Sequence, residues 1–226
     1  MSEVALSGTL QDYLKAIYCL EKEGGSLSPS SLADSLGVSL PSVTSMMKKL
    51  ASRKLVSYTP YLSIALTRGG ERQAREVVRH HRLLETYLQK ALGFGLESLH
   101  AEADRLEHAM SAELEEKIDA FLGRPAFDPH GSPIPDATGR VRSRRLVPLR
   151  TLRVGEAAEV RQLISRDRGQ LKHLESIGLV PGAAVRVSAL DPGSGVMRVD
   201  LDGRPGEPIG ESIAGCVLVS RNGGSA

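Results

Sequence analysis

The sequence has no tryptophan, and aromatic residues make up only 4% of its 226 residues. It has only two cysteines, Cys19 and Cys216, which are far apart and form no C-x-x-C motif. This scarcity excludes the disulfide framework of a small secreted domain and a cysteine-based zinc finger. We expect both cysteines to serve as small buried hydrophobic residues.

The sequence also lacks long hydrophobic runs. No uninterrupted apolar stretch approaches the roughly 20 residues that a membrane-spanning helix needs. The first residues, MSEVALSG, have neither the charged nor the apolar region of a signal peptide. We therefore expect a cytoplasmic protein that does not bind a membrane.

Charges of both signs are present but unevenly distributed. The net charge is +2, yet residues 1 to 82 hold 11 Lys and Arg against 7 Asp and Glu, whereas residues 83 to 122 hold 3 against 9. A basic first part and an acidic second part are typical of a polyanion-binding module joined to a cation-binding module. With 41% hydrophobic residues, the chain can form one large domain or two to three small ones.

The first predicted helix covers residues 9 to 23, where leucine and isoleucine recur at a helical period before a Gly-Gly pair at 24 and 25. Thr9 and Asp12 have the T-x-x-D spacing of a capping box, which gives Asp12 a structural explanation. A role for Asp12 as a metal ligand stays open at this point.

Residues 28 to 54 have the pattern of a helix-turn-helix. Ser28 or Ser30 can cap a short first helix, Gly37 marks a tight turn, and Pro41 stands near the start of a second helix. Val43, Met46, Met47 and Leu50 are predicted to face inward. On the opposite face, small hydroxyls are suited to base edges and lysines to phosphates. The predicted DNA-binding residues are Ser39, Pro41, Ser42, Thr44, Ser45, Lys48 and Lys49.

The next segment, LVSYTPYLSIALT, alternates like a two-stranded hairpin with a turn near Pro60. A helix, a helix-turn-helix and a hairpin follow one another in a winged-helix domain. Helical hairpins with glycine turns also occur in proteins that do not bind DNA, so the DNA-binding prediction depends on the wing and the basic charge.

Two longer helices are predicted from about Gly70 to Gly93 and from about Leu96 to Leu122. On the second, potential metal ligands recur at i, i+4, i+7 and i+8, which gives them one helix face. These residues are His100, Asp104, Glu107 and His108. An apolar stripe of Leu99, Ala103, Leu106, Met110 and Leu114 runs beside them.

A second pair of potential ligands, His81 and Glu85, has i, i+4 spacing on the preceding helix. Carboxylate oxygen and neutral imidazole nitrogen are ligands that divalent transition metals accept. The alternative is a solvated acidic face without a metal.

After residue 122 the composition changes. Prolines at 125, 129, 133 and 135 exclude regular structure and mark a boundary, and a basic segment follows. From Val154, alternating Val and Leu with Gly and Pro turns predict a small closed barrel of about five strands. The predicted units are a winged helix-turn-helix at residues 1–72, a helical domain at 73–139, a basic linker at 140–153 and a β-domain at 154–226.

Five segments in this order resemble the diphtheria toxin repressor family of metal-dependent regulators. They are the winged helix, RHHRLLE at residues 79–85, HAEADRLEH at 100–108, HGSPIP at 130–135 and the C-terminal barrel. The resemblance implies a multidomain, mainly α protein with an SH3-like (FeoA-like) C-terminal domain. It also implies a homodimer that is not an enzyme and that binds palindromic double-stranded DNA when Mn²⁺ or Fe²⁺ is sufficient, controlling metal uptake genes.

The resemblance further implies two metal sites. The primary site matches Asp12, Asp104, Glu107 and His108, which favours the ligand role for Asp12. The ancillary site matches His81, Glu85 and His100, completed from the C-terminal domain by Asp167 and Gln170.

The chain departs from the family pattern in two respects. Iron-type members have Met and Cys where this chain has Asp12 and Asp104. Manganese regulators have Glu where this chain has Lys15, and they lack the C-terminal barrel, so their paired-metal site is not carried over.

Two other function classes compete with this interpretation. One is a winged-helix regulator with an organic effector, and the other is a metalloenzyme with carboxylate and histidine ligands. No nucleophile, general-base pair or phosphate loop stands near the ligands in sequence, which argues against the enzyme.

Overall fold

The structure is a computed structural model that describes residues 6–22, 27–59, 63–191 and 193–221. Within these ranges an N-terminal helical domain with a small hairpin is followed by a second helical domain and then by a β-domain. None of the helices in these ranges has the length and apolar character needed to cross a membrane.

The N-terminal domain has the predicted winged helix-turn-helix order. Its elements are α1 (Gly8–Lys22), α2 (Pro29–Leu36), α3 (Leu40–Ser52) and the antiparallel strands β1 (Val56–Thr59) and β2 (Ser63–Leu66). Ser28 caps α2 in a capping box, and Gly37 ends it in the left-handed conformation, with a φ of 64° that suits glycine. Ser39 caps α3. The side chains of Leu14, Ile17, Leu32, Met47 and Leu50 are fully buried in the core.

The structure tests one of the two explanations considered for Asp12, the capping box. Because α1 begins at Gly8, Thr9 lies inside the helix and not at its N-cap. The capping-box explanation is therefore wrong. The predicted turn near Pro60 and the Gly-Gly pair at residues 24 and 25 lie outside the described residues.

The second domain contains α4 (Arg68–Leu92), α5 (Leu96–Leu106), a 3-10 turn (Glu107–Ala109) and α6 (Ala112–Phe121). The prediction of one continuous helix from Leu96 to Leu122 is therefore wrong. Ser111 has extended backbone angles, and its hydroxyl accepts a hydrogen bond from the Leu114 N–H, which starts α6 as a new helix.

This interruption also changes the predicted apolar stripe. Leu99 and Ala103 are fully buried, but Leu106 and Leu114 are 44% and 46% exposed. Met110 is half-buried against the same core as Ala103, whereas Leu114 lies on α6, which the 3-10 turn and the extended Ser111 separate from α5. The predicted stripe is therefore not continuous.

The proline-rich segment after α6 forms no helix or longer strand, as predicted, but it is packed against its surroundings. Asp128, His130 and Ile134 are buried. The carbonyl of His130 accepts a hydrogen bond of 2.8 Å from the N–H of Leu163 in the β-domain. Gly131 has a φ of 85°, and a Cβ there would lie 1.8 Å from the Arg161 carbonyl oxygen, so only glycine fits. The segment thus joins the two domains.

The β-domain contains a six-stranded antiparallel sheet in the order β3-β8-β4-β5-β6-β7, one strand more than predicted. The strands are β3 (Val147–Pro148), β4 (Ala157–Leu163), β5 (Ala184–Asp191), β6 (Val196–Leu201), β7 (Arg204–Ile209) and β8 (Val217–Arg221). Two helices also belong to this domain: α7 (Arg168–Ile177) connects β4 to β5, and α8 (Glu211–Cys216) connects β7 to β8.

The predicted linker at residues 140–153 is too long. Its second half forms β3 and a 3-10 turn (Leu149–Thr151), and the side chains of Leu149 and Leu152 lie in the core of the β-domain. This core continues into the helical domain, because Leu88, Leu96 and Leu99 belong to the same cluster. One side of α5 therefore packs against the β-domain.

Candidate metal centre and DNA-binding face

The end of α5 positions the predicted primary ligands. Asp104 lies in the last turn of α5 with its side chain 56% exposed, whereas Glu107 begins the 3-10 turn and its side chain is fully buried. The tighter turn directs Glu107 inward and brings His108 next to α1. The interruption of the helix after Leu106 thus determines where Glu107 and His108 lie relative to α1.

Three predicted ligands meet between the two helical domains. The Nε2 atom of His108 lies 2.9 Å from Asp12 Oδ1 and 3.7 Å from Glu107 Oε1. One donor atom from each of the three residues lies within 4.8 Å of the others. A Cβ at Gly8 would lie 2.9 Å from the His108 ring, so a larger residue at the start of α1 would require the imidazole to shift. We call Asp12, Asp104, Glu107 and His108 the open cluster.

Asp104, the fourth member of the open cluster, forms an ion pair with the ammonium group of Lys15. Lys15 Nζ lies 2.7 Å from Asp104 Oδ1 and 2.6 Å from Glu107 Oε1. Burial lowers the pKa of Lys15, but the charges of Glu107 and Asp104 outweigh burial and raise it. Burial raises the pKa of Asp104, but His81 and Lys15 together lower it below its ordinary value. Both groups are therefore ionised near neutral pH.

His81 connects the open cluster to a second group of ligands. Its Nδ1 atom lies 2.6 Å from Glu107 Oε2, and its Nε2 atom lies 3.1 Å from Glu85 Oε1. The same Glu85 oxygen contacts His100 Nδ1 and lies 3.8 Å from His130 Nδ1. Three imidazoles therefore surround one carboxylate.

We call His81, Glu85, His100, Asp128 and His130 the buried cluster. Glu85 is 1% exposed, and its carboxylate lies within 4.8 Å of suitable atoms of Asp128 and His130. Among the described residues, neither Glu85 oxygen nor His130 Nδ1 has a partner in hydrogen-bond geometry. The Glu85 oxygens and the imidazole nitrogens thus lie close together although no N–H group of these described residues points at either oxygen. Metal ligands have this arrangement, because each of them directs a lone pair at the same cation. The residues therefore fit a divalent metal.

The ionisation of the buried cluster is strongly coupled. Burial would raise the pKa of Glu85, but the charges of His81 and His100 hold it well below its ordinary value. Burial, followed by the negative charge of Glu85, raises the pKa of Asp128 to about 7. In the metal-free protein, the negative charge at Glu85 therefore depends on protons carried by its histidine neighbours.

Sequence analysis missed Asp128 and His130 as candidate ligands, although HGSPIP contributed to the family resemblance. Their spacing of two residues in a proline-rich segment was the available signal. Asp167 and Gln170, which were predicted to complete this site, form hydrogen bonds with neighbouring residues of their own segment. Asp167 Oδ1 caps α7 by accepting the Gln170 N–H at 2.7 Å, and Gln170 Oε1 accepts from Ser165 at 2.8 Å.

Asp167 belongs to none of the ligand groups found in the part of the chain that the structure describes. The capping bond is the physical reason, because it directs the carboxylate toward the start of α7. A ligand role for Asp167 and Gln170 stays a prediction.

Both clusters open into one cavity of about 600 Å³. Its walls come from α1, α4 and α5, from the proline-rich segment and from the loop before α7. Asp12, His81 and Glu85 line one side, whereas Ser165, Arg166 and Arg168 of the β-domain line another. Residues of all three domains therefore line this cavity.

The predicted DNA-binding face of α3 is accessible. Thr44 is half-buried, and the exposed members of the set are Ser39, Pro41, Ser42, Ser45, Lys48 and Lys49. Val43, Met47 and Leu50 are buried as predicted, and Met46 is half-buried. Val38 and Leu40, which sequence analysis missed, are 37% and 51% exposed at the start of this helix. Such side chains can contact thymine methyl groups.

Family models match three successive parts of the chain. They are described as "Iron dependent repressor, N-terminal DNA binding domain" at residues 5–64, "Iron dependent repressor, metal binding and dimerisation domain" at 67–136 and "FeoA domain" at 147–221. The last match begins at the start of β3 and agrees with the shorter linker.

Known relatives match the chain over most of its length. The iron-dependent repressor IdeR of Mycobacterium tuberculosis is 32% identical over 96% of this chain and 98% of its own length. The diphtheria toxin repressor of Corynebacterium efficiens is 30% identical over 80% of this chain and 84% of its own length. A solved manganese-dependent transcriptional repressor with bound manganese is 36% identical, with a TM-score of 0.86 over 94% of this chain and 100% of that chain.

These matches extend through the DNA-binding, metal-binding and C-terminal domains alike. The chain therefore belongs to the diphtheria toxin repressor family and is a metal-dependent, DNA-binding transcriptional regulator, not an enzyme.

Proposed function

We propose that the protein binds Mn²⁺ or Fe²⁺ through the open cluster and, in this state, binds a palindromic operator of metal uptake genes as a homodimer. One contact carries the proposal: Asp12 lies on α1 of the DNA-binding domain, and its carboxylate is 2.9 Å from His108 of the helical domain. A ligand set that spans the two domains can couple metal binding to the position of the DNA-binding domain.

The mechanism follows from the charges of these residues. Asp12, Asp104 and Glu107 bring three carboxylates to one boundary, where the ammonium of Lys15 pairs with only two of them, so their negative charge is not fully balanced by Lys15. Asp12, Asp104, Glu107 and His108 would hold a divalent cation, which would supply further positive charge at this boundary. A coupling of about 1 to 3 kcal/mol between the metal site and α3 changes operator affinity roughly 5- to 150-fold.

The choice of metal is supported by the ligand types and by the relatives. Three carboxylates and one imidazole suit Mn²⁺ and Fe²⁺, and no thiolate or thioether is present to favour softer ions. One relative is named an iron-dependent repressor and one structural neighbour a manganese-dependent repressor.

We further propose that the buried cluster is an ancillary metal site, held by His81, Glu85, His100 and His130, with Asp128 beside them. The unpartnered oxygens of Glu85 and the unpartnered Nδ1 of His130 support this assignment. Because the carbonyl of His130 accepts a hydrogen bond from Leu163 in β4, a metal here also stabilises the attachment of the β-domain.

The proposed DNA contacts use the exposed face of α3. In this proposal Ser39, Ser42 and Ser45 contact base edges in the major groove and Lys48 and Lys49 contact phosphates, which their exposure supports. The proposed dimer is supported by the large apolar side chains that stay exposed in the helical domain. Leu92, Leu114 and Phe121 are 59%, 46% and 68% exposed.

The decisive experiment is a binding titration with DNA from upstream of the protein's own gene, performed with Mn²⁺, with Fe²⁺ and without metal. The unchanged protein and Glu175→Ala, which alters an exposed acidic residue of α7 outside both clusters, should bind more tightly with metal. Asp12→Ala should bind equally weakly with and without metal. Metal-independent binding by the unchanged protein would contradict the proposal.

A further inference from the structure

An ammonium group lies inside a group of residues suited to a metal ion. His81, Asp104 and Glu107 each place one donor atom within 4.8 Å of the others. Lys15 Nζ lies 2.7 Å from Asp104 Oδ1, 2.6 Å from Glu107 Oε1 and 3.4 Å from His81 Nδ1. The side chain of Lys15 is only 12% exposed. A monovalent cation of the protein therefore occupies the position where these ligands converge.

We propose that Lys15 is a built-in competitor for the regulatory cation: in the metal-free protein its ammonium holds Asp104 and Glu107, and it prevents His81, Asp104 and Glu107 from binding a second divalent ion. This inference deepens the proposed function and rests on the assignment of the open cluster. It adds an internal cation that a metal must displace.

The position of Lys15 on α1 supports this role. Lys15 follows Asp12 by three residues, so both side chains lie on the same face of α1 and reach the helical domain together. One residue supplies a proposed metal ligand and the other supplies a cation that binds the remaining two carboxylates. The metal and the ammonium therefore compete for Asp104 and Glu107.

The consequence for switching follows from the charge balance. Without Lys15, three carboxylates would face one another at the boundary of the two domains. With Lys15, two of them are already paired, so α1 and α5 stay attracted to each other in the metal-free protein. Metal binding then exchanges one cation for another and does not simply remove a repulsion. Affinity for the metal is lowered by the contacts that Lys15 has to give up.

Isothermal titration of the metal-free protein with Mn²⁺ tests the proposal. Lys15→Gln removes the charge and keeps a polar side chain of similar reach. It should bind Mn²⁺ about tenfold more tightly or better, the factor that corresponds to one charge-assisted hydrogen bond. It should also bind one more Mn²⁺ per chain than the unchanged protein does.

Two further variants serve as controls. Lys15→Arg keeps the positive charge and should bind Mn²⁺ with the unchanged stoichiometry. Lys22→Gln alters a lysine at the end of α1 whose partner, at 3.6 Å, is Glu71, outside both clusters. It should bind Mn²⁺ as the unchanged protein does.

Thermal unfolding without metal gives a second readout. Lys15→Gln should have a lower Tm than Lys22→Gln, because Asp104 and Glu107 are left without their cation, and saturating Mn²⁺ should remove that difference. Unchanged or weaker Mn²⁺ binding by Lys15→Gln, with no additional ion, would overturn the proposal.

The same titrations distinguish this failure from failure of the proposed function. Asp104→Ala in an otherwise unchanged chain should lose the regulatory Mn²⁺. If Asp104→Ala binds Mn²⁺ normally, the assignment of the open cluster itself is wrong, and the role inferred for Lys15 is lost with it.

Discussion

The open and buried clusters use the same kinds of ligand but differ in their exposure to solvent. Side chains in the open cluster are 39% exposed at Asp12, 56% at Asp104 and 27% at His108, whereas the fourth member, Glu107, is fully buried. In the buried cluster, Asp128 is 3% exposed and His130 and Glu85 are 2% and 1% exposed, whereas His81 and His100 at its edge are 12% and 31% exposed.

This difference in solvent exposure predicts different roles for the two clusters. Water can solvate Asp12 and Asp104 when no metal is bound, so the loss of a metal from these two carboxylates costs little, and the buried Glu107 is then paired with Lys15. A buried carboxylate needs a proton, an imidazolium or a metal at all times. We therefore expect the buried cluster to control stability and the open cluster to control the response to metal.

The largest expected effect is on stability, from Glu85→Gln. This change removes the carboxylate that three histidines share and leaves buried imidazoles without their anion, which should cost about 3 kcal/mol of unfolding free energy in the metal-free protein. Denaturant unfolding with a chelator present measures it. The matched change in the open cluster, Asp12→Asn, should cost less than about 1 kcal/mol. Equal losses of unfolding free energy in the two variants would show that the two clusters do not differ in their contribution to stability.

The second prediction concerns the segment that carries His130. Gly131→Ala should destabilise the protein by about 2 to 4 kcal/mol, because a strained φ of 85° is combined with a clash against the Arg161 carbonyl. Gly123→Ala is the matched control, since Gly123 has a φ of 76° but nothing within 4 Å of its Cβ position. If both variants lose the same amount, strain alone explains the effect and the domain contact is unimportant.

Sequence patterns predicted the helix boundaries that local chemistry determines. Ser28, Gly37, Pro41 and Gly93 stand at helix ends in the structure as they do in the sequence analysis. Capping bonds and left-handed glycines involve only neighbouring residues, so a pattern of a few positions is sufficient to identify them.

The interruption after Leu106 could not be predicted in this way. The segment from 104 to 114 contains neither proline nor glycine, and its helical period continues. The 3-10 turn places Glu107 beside His81 and Lys15, which come from α4 and α1. These tertiary contacts are not visible in a local pattern.

The buried cluster shows the same limit. His81, Glu85 and His100 were identified from spacing, but Asp128 and His130 approach Glu85 from a segment more than 40 residues away. The proline pattern indicated irregular structure and gave no information about where it packs. The start of β3 was missed for a related reason, since two strand residues in a basic segment have no period.

The third prediction concerns the open cluster. Asp12→Ala should abolish the metal-dependent gain in operator affinity, a loss of about 1 to 3 kcal/mol of coupling, with little change in metal-free stability. Fluorescence anisotropy with labelled operator DNA, with and without Mn²⁺, measures it. Gln11→Ala removes the amide oxygen 2.6 Å from His108 Nδ1 and should weaken Mn²⁺ binding about tenfold without abolishing the response. A full response from Asp12→Ala would show that the domains are coupled elsewhere.

The fourth prediction concerns Glu115 and its partners His80 and Arg79. This ion network lies outside both clusters and serves as a reference that should not respond to metal. A hydrogen bond to His80 makes the largest contribution and, with Arg79, outweighs burial and lowers the pKa of Glu115 to about 2. The ordinary value is 4.5, so Glu115 stabilises the folded state fully above that pH and loses this contribution as the pH falls toward 2.

Glu115→Gln should therefore cost about 1 kcal/mol near neutral pH and almost nothing near pH 2. Unfolding free energies of both proteins across this range, in chelator, give the comparison. Mn²⁺ should not change the difference at neutral pH, because Glu115 belongs to neither cluster. A difference that depended on Mn²⁺ would connect this network to the metal centre.

The last prediction changes the ligand chemistry of the open cluster alone. With three carboxylates and one imidazole, Mn²⁺ should activate operator binding best, Fe²⁺ comparably or less well, and Zn²⁺ should bind but activate poorly, because tetrahedral Zn²⁺ does not reproduce a six-coordinate oxygen shell. Asp104→Cys introduces a soft thiolate at a side chain that is half exposed, so the protein should fold normally. The order of activation should shift toward Fe²⁺, Co²⁺ and Zn²⁺.

Operator titrations with each metal under anaerobic, reducing conditions measure this order. Glu175→Cys, which places a thiol on the exposed face of α7, controls for metal binding by an added cysteine and should keep the original order. If Asp104→Cys also keeps it, the carboxylate of Asp104 is not a ligand of the regulatory metal. In that case its contacts with Lys15 and His81 are its whole function, and the open cluster is reduced to Asp12, Glu107 and His108.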